Sequence, residues 1–387
     1  MITETTIKKL SQSLNEPEWM LQKRLHSLKK FNQYETPVFK YGIGIFVDLS
    51  ELDLENIDIS KSKNQTTIKA PKEVEIINFT DSNGLIKNYF DETKEENKLT
   101  ALQNSCFNEG KIIRIPENTI LTEPILIETK MESTIIEHII VIAEKNSKAT
   151  IIESSSSLIN NGIKSQQIKV IVKENAKLEY ITVQNINNSI YNFSKRTAQV
   201  KQNGFLYWLD CNIGSKFTQH VTETTLEEEG AESKSWGVVF GDQNQCYDIK
   251  CDTIHSASKT TCDMLTRVVL NDKAKTIYRG LVKINPKAAN CQGYQKDDTI
   301  LLSDDAEADI VPNLEIMNND VKCSHGATIS QIDEEKLFYM MSRGIDKKAA
   351  KQAIVEGFFD PILVKIDNEL LKEEILQSIA KRLQNLE

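Results

Sequence analysis

Extended apolar runs alternate with short polar corners along most of the chain from about residue 110. The pattern is clearest in three stretches: "VIAEKNSKATIIES" (141–154), "VIVKENAKLEYITV" (170–183) and "QVKQNGFLYWLD" (199–210). Each polar corner ends in a small residue, and the first three of these lie 29 and 28 residues apart. The small residues, including three in weaker copies of the corner, are Ser147, Ala176, Gly204, Ala231, Ala274 and Ala306.

Repeats of about 20–50 residues built from short strands and tight corners are typical of solenoids. Helical periodicity is absent between the corners, so the pattern predicts an all-β core folded as a parallel β-helix. Small corner residues suit such a stack, because successive coils lie only about 4.8 Å apart. The alternative is an antiparallel sandwich, but few Asn-Gly or Asp-Gly hairpin turns are present.

Helical patterns flank this core at both ends. Residues 1–31 favour helix: Asn15 is the expected N-cap, Pro17 and Glu18 fit the first turn, and an apolar face follows at Leu21, Leu25 and Leu28. The segment 32–100 is mixed, with an apolar run at 42–49 and polar stretches at 60–73 and 91–98. We therefore predict an N-terminal segment (1–100), a β-helix core (101–328) and a C-terminal helical domain (329–387).

The C-terminal domain carries clear helix signals. Asp333 is the expected cap of a helix that ends at Gly344, Asp346 caps a second helix, and Pro361 opens the last helical stretch. Apolar residues then recur four apart in two rows: Ile362, Ile366 and Leu370, and Leu371, Ile375, Ile379 and Leu383. Such rows must be buried, either on the coil stack or on a partner protein.

Composition excludes several functional classes. The net charge is −9 and no long basic run is present, which argues against a nucleic-acid partner. No apolar run approaches the roughly 20 residues of a membrane span, and the N-terminus does not resemble a secretory signal. The seven cysteines form no CxxC pair, as expected of free thiols in a reducing cytoplasm. Phosphate-binding loops are absent, so we expect no nucleotide on this chain.

The five histidines differ in their expected environments. His26 is expected on the surface of the N-terminal helix. His138 lies in the run "IIEHIIVIA" and is expected to be a hydrogen-bonded histidine within a strand. His220 and His255 lie in polar, loop-like stretches. His325 is different, because it follows Cys323 in "DVKCSHGATISQIDEE" (320–335).

Cys323 and His325 form the candidate metal site. In an extended strand, residues two apart point to the same face, and a thiolate with an imidazole suits iron or zinc. Two ligands cannot complete a site, because four are usual for an iron–sulfur cluster. Any metal would need donors from another coil or another chain. The alternative is a buried thiol beside a histidine that bonds to the backbone.

A second candidate site is a group of carboxylates at Asp304, Asp305, Glu307 and Asp309. In an extended run the last three would share one face, which would suit a carbohydrate-active β-helix enzyme. The alternative is a solvated acidic corner.

One long stretch resembles a known family. Residues 301–345, "LLSDDAEADIVPNLEIMNNDVKCSHGATISQIDEEKLFYMMSRGI", resemble the signature of the SufB/SufD family of iron–sulfur cluster assembly proteins. The stretches "EPEWMLQKRL" (16–25) and "YRGLVKI" (278–284) resemble the same family, particularly its SufB branch.

This resemblance implies a right-handed parallel β-helix flanked by helices, acting as a scaffold and not as an enzyme. It implies pairing between two such subunits and recruitment of an ABC-type ATPase of the SufC type through the C-terminal helices. The expected partner-binding residues are Phe338, Ile354, Phe358, Ile362, Ile366 and Leu370.

The resemblance also implies a branch. In the SufD branch the histidine matching His325 is contributed to a cluster at the subunit interface, and Cys323 matches a thiol often found beside it. The SufB branch contributes a cysteine and a glutamate, whose positions here correspond to Ala306 and Gly326. The chain therefore resembles a SufD-like subunit that shares a transient iron–sulfur cluster with a SufB-type partner. A SufB-like homodimeric scaffold remains the alternative within the family.

Overall fold

The computed structural model describes residues 1–41, 45–49, 52–59, 65–81, 86–87, 95–366 and 368–384. The apolar run at 42–49 and the polar stretches at 60–73 and 91–98 lie partly outside these residues. The helices of the described part include α1 (Glu4–Ser13), α2 (Glu18–Gln33), α3 (Lys98–Cys106), α4 (Glu334–Ser342), α5 (Lys347–Leu363) and α6 (Glu369–Gln384). A 3-10 turn spans Phe79–Asp81, and a small antiparallel pair joins β1 (Val38–Tyr41) to β2 (Ile45–Asp48).

The core is a parallel β-solenoid made of two nine-stranded sheets. Sheet I contains β3 (Thr66–Lys69), β6 (Ile125–Met131), β8 (Lys148–Ser157), β10 (Lys177–Gln184), β12 (Phe205–Asn212), β14 (Glu232–Gly241), β16 (Thr261–Leu270), β18 (Cys291–Leu301) and β20 (Val321–Gln331). Sheet II contains β4 (Glu75–Asn78), β5 (Glu109–Ile115), β7 (Ile135–Ala143), β9 (Gly162–Val172), β11 (Ile190–Val200), β13 (Phe217–Leu226), β15 (Cys246–His255), β17 (Lys275–Ile284) and β19 (Glu307–Ile316). The predicted solenoid with helical ends is confirmed.

The two ends of the solenoid differ. At its start, β3 and β4 add to the sheets in the antiparallel sense, through β6 and β5. At its end, β19 and β20 pair in parallel with β17 and β18 and stand last in their sheets. We call β19 and β20 together the terminal coil. An edge strand presents unpaired backbone N–H and C=O groups, which makes it a template for pairing with another chain.

The small corner residues are buried, as the repeat pattern requires, but they belong to two stacks. Four of them directly precede strands of sheet I: Ser147, Ala176, Gly204 and Ala231. Ala274 and Ala306 precede β17 and β19 in sheet II instead. The weaker similarity of these later corners to the first three therefore has a structural reason.

A left-handed residue precedes each corner residue of the first stack. Asn146, Asn175 and Asn203 have φ of 57°, 55° and 52°, and Gly230 has φ of 74°. Asparagine is one of the few residues other than glycine that adopts this conformation at low cost. The asparagines also form a ladder, since the Asn175 amide donates to Asn146 at 3.1 Å and Asn203 donates to Asn175 at 3.3 Å.

Helices cover the outer faces of both sheets. Apolar residues of α1, α2 and α3 form one buried cluster with outward residues of sheet II such as Ile140 and Phe193. Residues of α5 and α6 form another with outward residues of sheet I such as Leu209 and Phe240. No helix in the described part of the chain combines the length and apolar character needed to span a membrane.

The helix boundaries correct two expectations. Pro17, and not Asn15, is the N-cap of α2, because Asn15 adopts a left-handed φ of 55° in the turn after α1. Pro361 lies inside α5, and the last helix starts at Glu369, where the Asn368 side chain accepts a hydrogen bond from the Leu371 amide at 3.0 Å. Asp333 and Asp346 cap α4 and α5 as predicted.

Candidate functional site

Cys323 and His325 lie on β20, the edge strand of sheet I. In register, Cys323 pairs with Gly293 and His325 pairs with Gln295 of β18. Since Gln295 is fully buried inside the solenoid, strand alternation places Cys323 and His325 on the inward side of the terminal coil. Among the described strands β20 stands last in its sheet, and His325 is exposed.

Cys323 is accessible but not activated. It is half-buried, packs against the solenoid core and lines an open groove of about 820 Å³ together with Arg267, Lys296 and Lys322. Burial raises the pKa of its thiol above the ordinary value. A thiol is nucleophilic and metal-binding as the thiolate. The free chain therefore holds Cys323 mainly as the neutral thiol.

These two residues do not make a metal site by themselves. Among the described residues, no group of three or more His, Cys, Asp and Glu side chains is placed to hold a metal ion. Ala306 is the buried corner residue before β19, and Gly326 follows His325 on β20, so neither adds a donor. The described residues therefore do not present a preformed ligand set around His325.

The other four histidines are either exposed or hydrogen-bonded within the chain. His26 is exposed on α2, and buried His138 bonds through Nε2 to the Gln103 carbonyl at 3.1 Å, as expected for each. The expectation that His220 and His255 lie in loops is wrong. His220 lies in β13, buried 3.3 Å from an Asp210 carboxylate oxygen, and His255 ends β15 with Nε2 3.2 Å from the Cys262 sulfur.

The acidic corner does not form a carboxylate site. Asp304 and Asp305 lie in the turn before β19, so only Glu307 and Asp309 share a strand face. Glu307 forms an ion pair with the Lys275 ammonium at 2.7 Å, and Asp304 accepts a hydrogen bond from Gln331. The alternative of an acidic corner describes this region better.

A row of charged side chains inside the solenoid was not identified from the sequence. Lys164 lies between Glu137 and Glu153, and the guanidinium of Arg196 binds the Asp210 carboxylate. Burial acts against the ionisation of Asp210, but Arg196 and His220 outweigh it and hold its pKa well below the ordinary value. These residues could be recognised only once the register shows which positions face inward.

The expected partner-binding residues fall into two groups. Phe338 on α4 is 73% exposed and lies among further exposed apolar residues. We call this set the α4 patch: Phe338, Tyr339, Met341 and Ile345. Ile354 and Phe358 are half-buried on α5 against sheet I.

Ile362 and Ile366 are not available to a partner, which corrects the expectation for these two. They are 0% and 2% exposed and pack in the chain's own cluster on sheet I. They also do not continue one helical row, because α5 ends at Leu363 and Ile366 lies in the connection to α6. Leu370 lies in α6, and its side chain is outside the described residues.

Comparison with known proteins agrees with this geometry. Residues 126–358 match the family model described as "SUF system FeS cluster assembly, SufBD core domain". The chain belongs to the SufBD family. The matched residues run from β6 into α5, so the SufBD core comprises most of the solenoid, the terminal coil and the α4 patch.

Two relatives extend the similarity to nearly the whole chain. The chain is 28% identical to an iron–sulfur cluster assembly SufBD family protein of Staphylococcus saprophyticus, over 98% of this chain and 94% of the relative. The same identity and coverage relate it to a SufBD family protein of Staphylococcus aureus. Membership in the family thus identifies the chain as an iron–sulfur cluster assembly protein.

Proposed function

We propose that this chain is a SufD-like scaffold subunit of an iron–sulfur cluster assembly complex. It pairs with a SufB-type subunit through the terminal coil and shares a transient cluster with it. The observation that carries this proposal is the placement of His325, an exposed imidazole on the edge strand of the solenoid. An edge strand can pair with a second chain, and that chain can bring the ligands that the described residues lack.

The SufD-like assignment rests on the donors at the terminal coil. His325 is present with Cys323 beside it, while Ala306 and Gly326 occupy the positions expected of the SufB-type cysteine and glutamate. A cluster is the cargo of this site, and the chain acts as a scaffold and not as an enzyme. A SufB-like homodimer is the second candidate, in which two copies of His325 and Cys323 would hold the cluster.

The α4 patch is the proposed docking surface for an ABC-type ATPase of the SufC type. Phe338, Tyr339, Met341 and Ile345 are all exposed within residues 338–345, and aromatic and methionine side chains are enriched at protein interfaces. Half-buried Ile354 and Phe358 contribute at its border. The ATPase subunit then hydrolyses the nucleotide. We expect the complex to work in the cytoplasm and to bind neither nucleic acid nor a membrane.

The test is reconstitution of the three-subunit complex with an apo iron–sulfur protein as acceptor. We expect His325→Ala to fold normally and to lower cluster delivery by about tenfold or more, as loss of a metal-site residue does. His26→Ala, which removes an exposed imidazole from α2, is the matched control and retains full delivery. Wild-type delivery by His325→Ala would contradict the proposal.

Purification of the complex from its native cell separates the candidates. Recovery of a SufB-type subunit with iron and sulfide in the complex supports the SufD-like assignment. A cluster held by the chain alone, at the level found in the complex, would favour the SufB-like homodimer instead.

A further inference from the structure

Gln295 lies in the middle of β18 with its side chain inside the solenoid. It is 0% exposed, and in register it stands between Met264 of β16 and His325 of β20. Side chains at paired positions of neighbouring parallel strands lie on the same face, about 4.8 Å apart. Gln295 and His325 therefore project into the solenoid from neighbouring positions of adjacent strands.

This amide is unpaired within the described part of the chain. Neither its oxygen nor its nitrogen has a hydrogen-bond partner. Burying a polar group without a partner destabilises a fold, so such a group in a native structure calls for an explanation. Leucine or methionine would fill the same position without that cost.

Two register positions on the terminal coil adjoin this part of the solenoid interior. A Cβ atom on Gly280 of β17 would lie 2.0 Å from the amide nitrogen, so the glycine makes the room that the amide occupies. The register neighbour of Gly280 on the terminal coil is Pro312, which has no backbone N–H to offer. The register neighbour of Gln295 on the terminal coil is His325, whose ring carries both a donor and an acceptor.

We propose that Gln295 is the positioning residue for His325. A rotation of its side chain away from Gly280 brings its carbonyl oxygen to the N–H of one imidazole nitrogen, so that the other nitrogen keeps its lone pair for the iron of the cluster. Metal-binding histidines generally donate their second ring N–H to such an acceptor, which fixes both the tautomer and the ring orientation. The inference rests on the proposed function, because a free lone pair on the second ring nitrogen matters only if His325 binds the iron of a cluster.

The tautomer of His325 can be measured directly in the full chain. Ring-nitrogen chemical shifts of ¹⁵N-histidine-labelled protein are recorded at about pH 8, where an ordinary imidazole is neutral. We expect one tautomer to predominate in the wild type and a mixture in Gln295→Leu, which retains the volume and loses the acceptor. Gln295→Glu keeps an acceptor oxygen and restores the wild-type shifts.

Gln292→Leu is the matched control. Gln292 lies on the same strand, is exposed and pairs with Lys322, so its loss leaves the His325 shifts unchanged. Gln295→Met is a second variant without the amide, for use where leucine disturbs folding. Unchanged His325 shifts in a folded Gln295→Leu or Gln295→Met protein would overturn the inference.

Cluster delivery by the reconstituted complex separates this inference from the proposed function. We expect Gln295→Leu to lower delivery by about tenfold and Gln295→Glu to restore part of it. A changed tautomer with undiminished delivery would confirm the contact to His325 and count against the role of His325 in cluster assembly.

Discussion

Glu137 and Glu153, on facing sheets of the solenoid, share the single ammonium group of Lys164. Its nitrogen lies 3.6 Å from a Glu137 oxygen and 3.3 Å from a Glu153 oxygen. The Gln166 amide donates to both carboxylates, at 3.0 and 2.7 Å. One positive charge cannot fully compensate two buried negative charges, so the two carboxylates respond differently to burial.

Burial raises the pKa of Glu137 to about 7, although Lys164 opposes the increase. Burial also acts against the ionisation of Glu153, but there the charges of Lys164 and Arg196 prevail and lower its pKa. A carboxyl whose pKa is raised by folding binds its proton more tightly in the folded state. Its contribution to stability is complete below its unfolded pKa and is lost as pH rises through its folded pKa.

We therefore expect Glu137→Gln to flatten the pH dependence of stability. The free energy of unfolding of the wild type should fall, relative to the variant, between pH 4.5 and about 7. Each unit of pKa difference corresponds to about 1.4 kcal/mol. Urea denaturation across this range measures the effect. The matched control is Glu132→Gln at an exposed position. Parallel profiles for wild type and Glu137→Gln would contradict the prediction.

A buried ion pair holds α2 to the turn after α1, and a further hydrogen bond holds it to the end of α3. Arg24 donates two hydrogen bonds to Glu16, at 2.7 and 2.6 Å, and a third to the Ser105 carbonyl. Its guanidinium lies 3.4 Å from the centre of the Phe107 ring. We expect Arg24→Ala to lower the free energy of unfolding by about 3–5 kcal/mol, because it leaves the Glu16 charge buried and unpaired.

The control for Arg24 is a pair of the same charges on the surface. Lys8 and Glu4 are 3.6 Å apart on α1 and largely exposed. Lys8→Ala should change stability by no more than about 1 kcal/mol in the same denaturation experiment. Equal effects of the two substitutions would show that the Arg24 pair has no special role.

The sequence identified the type of fold because the corners repeat, but it could not identify the register. The corners that end at Ser147 and Ala274 have similar sequences, although they precede strands of different sheets. Only pairing shows that Gln295 and His325 are neighbours, or that Glu137 and Lys164 point inward from the same sheet. The residues next to an inward-facing position in the sequence do not indicate which side chain it will contact on the next coil.

The surface that covers the C-terminal helices could not be predicted from the sequence, for a related reason. Apolar periodicity shows that a helix face is buried, but not which surface covers it. Ile362 fits an apolar row, and its covering surface is sheet I of the same chain. Phe338 lies in the apolar run "LFYMM" (337–341), yet it remains exposed.

The asparagine ladder makes a separate prediction about the corners. Asn175 has a left-handed φ of 55° and exchanges side-chain hydrogen bonds with Asn146 and Asn203. Asn175→Ala should lower stability by about 1–2 kcal/mol, since a Cβ-bearing residue without a local hydrogen bond is strained there. Asn175→Gly should cost less, because glycine adopts this conformation freely. Thermal denaturation of the two variants tests the order, and a more stable alanine variant would refute the strain argument.

Ile362 lies in the chain's own core, whereas Phe338 lies on the proposed docking surface. Ile362→Ala should lower the free energy of unfolding by about 2–5 kcal/mol, because it opens a cavity beneath α5. Phe338→Ala, at a 73% exposed site, should leave stability within about 0.5 kcal/mol. Binding of the ATPase subunit should respond in the opposite order, with affinity reduced by Phe338→Ala and retained by folded Ile362→Ala. Calorimetric titration of each variant with the ATPase subunit measures this. Full affinity in a variant that carries both Phe338→Ala and Tyr339→Ala would exclude the α4 patch as the docking surface.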